Sequence, residues 1–107
     1  MRTLDQLCRE IDCSRTEVIG WIEQSWVKPA RHGDQFLFDE ADAARARLIE
    51  ELRRDLSIDD EAIPVVLGLL DQLHFMRRTM AEMWAALDEA SPEIRSAVAS
   101  RLSREPR

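Results

Sequence analysis

The sequence predicts a mainly α chain: a winged helix-turn-helix with a small two-stranded wing, then a long coiled-coil dimerisation helix and a short C-terminal helix. Three observations predict it. Two capping patterns, Thr3 with Gln6 and Ser14 with Glu17, open two short helices separated by a tight turn at Asp12-Cys13. Phe36 and Phe38 alternate with Gln35 and Leu37 just after a stretch of turn composition, Arg31-His32-Gly33-Asp34. From Val66 to Leu87 apolar residues recur in alternating steps of three and four. The division expected from this pattern is a winged domain over 1–56, a dimerisation helix and short helix over 57–103, and a frayed tail at 104–107.

Helix one runs from Thr3 to Glu10, with Leu4, Leu7, Cys8 and Ile11 along one face. Helix two starts at Ser14. Val18, Trp21 and Ile22 recur at helical spacing and are expected to face helix one. Gly20 in its middle costs about 1 kcal/mol relative to Ala. Trp26-Val27-Lys28-Pro29 is expected to leave in extended form and open the wing, whose return strand holds Phe36 and Phe38. Asp39 caps helix three, with Asp42 at the third following position. Its expected apolar face is Ala41, Ala44, Leu48 and Leu52 with Ile49 alongside, while Arg45, Arg47, Glu50, Glu51, Arg53 and Arg54 form a solvated face. Asp59 or Asp60 is expected to cap the longest helix, with Pro64 tolerated in its first turn.

The seam of that long helix is Val66, Leu69, Leu73, Met76, Met80, Met83 and Leu87, widened by Leu70 and Trp84. Its first part is expected to pack on the winged domain and its later part on a second copy. The predicted dimer interface is therefore Leu69, Leu73, Met76, Met80, Met83, Trp84 and Leu87. After Ser91-Pro92, the residues Ile94, Val98 and Leu102 suggest the short last helix.

Charge directs the functional reading. The 107 residues carry a net charge of -6, with 21 acids against 15 bases. Residues 57–90 hold seven acids against Arg77 and Arg78, whereas the last seventeen residues are mildly basic. Helix two occupies the position of a DNA reader's recognition helix, yet between Arg15 and Lys28 it has no Lys or Arg and carries Glu17 and Glu23. Two carboxylates without a base make an approach to phosphates repulsive. An acidic adaptor for a basic protein partner fits better, with Glu17, Trp21 and Glu23 as candidate contacts. Trp21 is open between two readings, a core residue and an exposed anchor.

Enzyme classes find no support, since no nucleophile–base pattern or Gly-rich phosphate loop is present. His32 and His74 stand apart from each other and from Cys8 and Cys13 in sequence, outside any metal-ligand spacing, so neither metal nor cofactor is expected. Cys8 reads as a small core residue. The polar start MRTLDQLCRE is no signal peptide, and no apolar run reaches the ~18 residues a membrane span needs. A reducing cytoplasm is the expected location.

The order helix, turn, helix, Val27-Lys28-Pro29, wing, Phe38-Asp39-Glu40-Ala41-Asp42, Arg-rich helix, Leu56-Ser57-Ile58-Asp59-Asp60, long helix resembles the MerR family. That resemblance covers Thr3 to about Leu87 and implies a dimer with an antiparallel coiled coil. MerR-type DNA readers usually carry an Arg followed by two aromatics in helix two, where this chain has Ile19, Gly20 and Trp21. Metal-sensing members carry cysteines around the coiled-coil helix, and this chain has none after Cys13. The run Leu56-Ser57-Ile58-Asp59, then Ile63, Val65, Leu67 and Leu69-Leu70-Asp71, resembles the chaperone-modulator CbpM family, a degenerate MerR-like branch. This second resemblance implies binding to the J-domain of a DnaJ-type, CbpA-like co-chaperone and inhibition of its stimulation of Hsp70. The alternative is a MerR-family DNA-binding transcriptional regulator, for which Lys28, Arg31 and His32 on the wing and Arg15 at the helix start are the available phosphate contacts.

Overall fold

The computed structural model describes residues 1–102, so the expected frayed tail lies outside the described residues. In order, the elements are β1 (Arg2–Thr3), α1 (Leu4–Ile11), α2 (Arg15–Glu23), β2 (Ala30–His32), β3 (Gln35–Phe38), α3 (Glu40–Arg54), α4 (Ile63–Asp88) and α5 (Pro92–Leu102). Two compact units divide the chain inside α4, Met1–Gly68 and Leu69–Arg107.

Capping chemistry places the first three helices. Thr3, Ser14 and Asp39 each accept a hydrogen bond from the backbone N–H three residues on. Gln6, Glu17 and Asp42 return it to the capping residue's own N–H. The helix ends are closed by residues in the left-handed region: Asp12 (φ 56°), Ser25 (φ 62°) and Ser57 (φ 52°). Around Ser25, Trp26 N–H donates to the Trp21 carbonyl at 2.9 Å and Ser25 N–H to the Ile22 carbonyl at 3.0 Å. That is a Schellman closure with serine where glycine is usual. It turns the chain sharply, so Trp26 and Val27 are buried and the strand begins only at Ala30. The turn falls at Gln24 and Ser25 with a bend at Trp26, so the extended path expected over Trp26–Pro29 starts late and residues 27–29 lie outside any strand.

The wing has one more strand than expected. β3 is central, pairing antiparallel with β2 (Ala30↔Leu37, Arg31↔Phe36, His32↔Gln35) and with β1 (Arg2↔Phe38, Thr3↔Leu37). A two-residue strand directly against a helix cap has too few positions to show a period, which is why β1 was not legible. Gly33 (φ 64°) supplies the positive φ of the hairpin turn. Phe38, fully buried, pins the sheet to the core.

That core gathers Leu4, Leu7, Cys8 and Ile11 from α1, Val18 and Trp21 from α2, Trp26, Val27 and Phe38, then Ile49, Leu52, Ile63 and Leu67. In α3 the buried row is Ala43, Ala46, Ile49, Glu50 and Leu52, whereas Ala41 and Ala44 are exposed. The expected face is corrected by about one residue, roughly 100° of rotation. Four alanines in the first two turns made both rows look apolar, and fully buried Ile49 decides between them. Glu50, expected in solvent, is only 8% exposed.

α4 begins at Ile63, preceded by a turn in which Ala62 N–H and Ile63 N–H both donate to the Asp59 carbonyl. The Asp60 side chain pairs with Arg53 at 2.9 Å instead of capping the helix. Ile63 and Leu67 are buried in the first unit's core and Val66 packs against it, as expected of the helix start. In the second unit, Leu69, Leu73, Met76, Met80 and Met83 are 41–64% exposed, while Trp84 and Leu87 are half-buried. Ser91 caps α5, Ile94 N–H donating to its Oγ at 3.4 Å, and Arg95 pairs with Asp88 at 3.6 Å.

Candidate partner-binding site

α2 displays the three residues singled out from sequence, and the structure gives them different jobs. Trp21 is 3% exposed and belongs to the core. The Arg53 guanidinium lies 5.8 Å from the centre of its ring. Glu17 is exposed, completes the Ser14 capping box and accepts from Arg53 at 3.2 Å. Glu23 is exposed one turn and a half further on. Spacing alone puts Glu17 and Glu23 on different sides of the helix.

A cleft of about 500 Å³ opens beside Glu17 and Trp21. Gly20, Trp21 and Trp26 line it from one side, Asp60, Glu61 and Pro64 from the other, and Arg53 bridges Glu17 and Asp60. A Cβ built on Gly20 meets no atom within 4 Å, so the glycine leaves room above the helix and is not required by packing. Burial pulls the Arg53 pKa down, but the Asp60 and Glu17 carboxylates outweigh it and hold the group above its ordinary value. Sequence reading missed Arg53, Asp60 and Glu61 here, because they are brought to α2 only by packing of α3 and the 59–62 turn.

Under α2, the helix-turn-helix turn is tied to α3. The Cys13 thiol donates to Glu50 Oε2 at 2.6 Å, Glu50 pairs with Arg54, and Arg54 donates to the Asp12 carbonyl at 2.9 Å. Ligand atoms of Cys13, Glu17 and Glu50 lie within 4.8 Å of one another. Both carboxylates already face guanidinium groups and the thiol keeps its proton, so this cluster is a hydrogen-bonded tie between α1, α2 and α3. Burial, then the Glu50 carboxylate, pushes the Cys13 thiol up to about 12 from an ordinary value of 9.0. A thiol pKa raised in the folded state contributes stability below pH 9. That contribution is lost as pH rises towards 12, because the unfolded chain releases the proton first. Chemical denaturation between pH 8 and 11 should therefore show stability falling more steeply in the parent than in Cys13→Ser. Equal slopes would remove the thiol from the account.

Charge is concentrated on the winged unit. Residues 1–68 contain 15 acids and nine bases, a net of -6, so this unit carries the whole net charge of the chain. The base at the α2 start is engaged within the unit, Arg15 pairing with Asp5. On the wing, the Arg31 guanidinium lies 4.9 Å from the Phe36 ring centre, and Lys28 and His32 are exposed.

A family model described as MerR HTH family regulatory protein matches residues 2–84. The chain belongs to this family. The match spans the whole winged unit and α4 as far as Trp84, so the MerR-type order of helices, wing and long helix read from the sequence is the order of the family. No curated protein and no solved structure matches the chain. Among MerR-type chains that read DNA through α2, the reading helix must approach phosphate. Here no base follows Arg15 before Lys28, and Arg15, the base in the first turn of α2, is paired with an acid. Among the described residues, no helix is long and apolar enough to cross a membrane.

Proposed function

We propose that this MerR-family chain is a non-enzymatic, homodimeric chaperone modulator of the CbpM type. It binds the J-domain of a DnaJ-type, CbpA-like co-chaperone in the cytoplasm and restrains that co-chaperone's stimulation of Hsp70. The observation that carries the reading is the charge of the winged unit: residues 1–68 have a net charge of -6, and their second helix presents Glu17 and Glu23 with no base after Arg15. Such a surface repels a phosphate backbone and attracts a basic protein face. The run after Leu56, similar to that of CbpM proteins, points to the J-domain as that face. Homodimerisation is supported by the exposed Leu69-to-Met83 seam, because isolated soluble chains rarely leave so continuous an apolar stripe uncovered.

Calorimetric titration with the J-domain at two salt concentrations tests this. Binding is expected at low salt and is expected to weaken as the ~8 Å screening length at physiological salt shortens further. Absence of binding at low salt would end the adaptor reading. The second reading, a DNA-binding regulator, draws on exposed Lys28 and His32 with Arg31 on the wing. A palindromic operator shifted in a gel at physiological salt would revive it.

A further inference from the structure

We infer that the cleft beside Gly20 is the docking site itself, and that it takes a Lys or Arg side chain from the basic face of a protein partner. The inference rests on the adaptor reading for the identity of the partner, but on the cleft's own chemistry for what is bound. Its floor is aromatic, its rim holds the carboxylates of Glu17, Asp60 and Glu61, and its only base is Arg53. Trp21 and Trp26 are 3% and 7% exposed and the Trp21 ring is taken by Arg53, so it is the ring of carboxylates that draws a further cation. The cleft already demonstrates that preference: the Arg53 guanidinium lies over the Trp21 ring between Glu17 and Asp60. One guanidinium against three carboxylates leaves the lining two charges negative. Glu61 and the open space above Gly20 are where a second cation and its aliphatic stem fit. An anionic ligand, nucleic acid included, meets repulsion at the same rim.

Gly20→Phe fills the space. Since a Cβ there meets nothing within 4 Å and glycine is a poor helix former, this variant is expected to fold with an unfolding midpoint no lower than the parent's. Glu61→Lys, at an exposed rim position, is the second variant. Isotope-labelled full-length protein is titrated with the J-domain, with a helical peptide alternating Leu with Lys and Arg, and with the same peptide carrying Glu at the basic positions. The Gly20 amide and Trp21 indole resonances are expected to move with the first two probes and not with the third. Both variants are expected to weaken binding by at least about tenfold, the cost of blocking a site or reversing a rim charge.

J-domain binding that leaves these resonances still and is unchanged in both variants overturns the cleft while the adaptor reading stands. Binding of the basic peptide at Gly20 without J-domain binding supports the cleft and overturns the adaptor reading. No binding of either basic probe overturns both.

Discussion

Replacing Leu73 and Met80 together by Glu is expected to leave the chain monomeric if the proposed dimer forms through the α4 stripe. Both side chains are well exposed on α4 within the single chain, so nothing in the fold of the winged unit depends on them. In a dimer built on the Leu69-to-Leu87 seam each is buried twice, once per protomer. Burying a Leu or Met side chain is worth about 1.5–3 kcal/mol. Four such side chains lost from the interface amount to on the order of 6 kcal/mol, or about 10⁴-fold in the dimer dissociation constant. Carboxylates facing an apolar seam add a desolvation cost in the same direction. Sedimentation equilibrium over a range of protein concentrations reads the effect directly. The expected outcome is a dimeric parent and a monomeric variant whose winged unit gives an unchanged spectrum. A parent that is monomeric at tens of micromolar would show that the seam is covered by something other than a second copy.

The apolar stripe of α4 was legible in sequence because its period is regular: from Val66 to Leu87 the steps run three, four, three, four, three, four, which averages 3.5, the spacing a left-handed coiled coil requires. The caps at Thr3, Ser14 and Asp39 were legible for a similar reason, since a capping box is a short, directional pattern with one physical cause. Features that depend on contacts distant in sequence were not. The rotation of α3 was hidden by its alanines. The burial of Glu50 needs Cys13 and Arg54 beside it, and the first of these lies 37 residues away. The cleft beside Gly20 is assembled from three separate segments, of which sequence reading singled out only α2. A clue to Arg53 existed in its place seven residues before Asp60, just ahead of the end of α3, but the Asp59-Asp60 pair was assigned to capping. Serine at a left-handed closure, as at Ser25 and Ser57, gives no sequence signal of the kind glycine gives, so the sharp exit of α2 was read as an extended strand.

Trp21→Ala is expected to damage the fold before it damages any partner contact. The indole is almost wholly buried in the core with the Arg53 guanidinium over its ring, and its removal leaves a large cavity in a small core. Truncating a buried aromatic to Ala costs about 3–5 kcal/mol, against a total stability of about 5–15 kcal/mol for a domain. Urea denaturation should therefore show a midpoint lowered far beyond that of any single surface change. Glu23→Lys is the contrasting variant. Its side chain is exposed near the end of α2, and its stability is expected to stay within about 0.5 kcal/mol of the parent. If α2 faces the partner, Glu23→Lys weakens binding without unfolding. Trp21→Ala instead weakens binding chiefly through the unfolded fraction, and a stabilising osmolyte that refolds the chain recovers all but the share lost with the ring at the cleft floor. The pair of measurements separates a floor from a projecting anchor. Near-parent stability in Trp21→Ala, combined with lost J-domain binding, would return the indole to the role of anchor and require the cleft to open on binding.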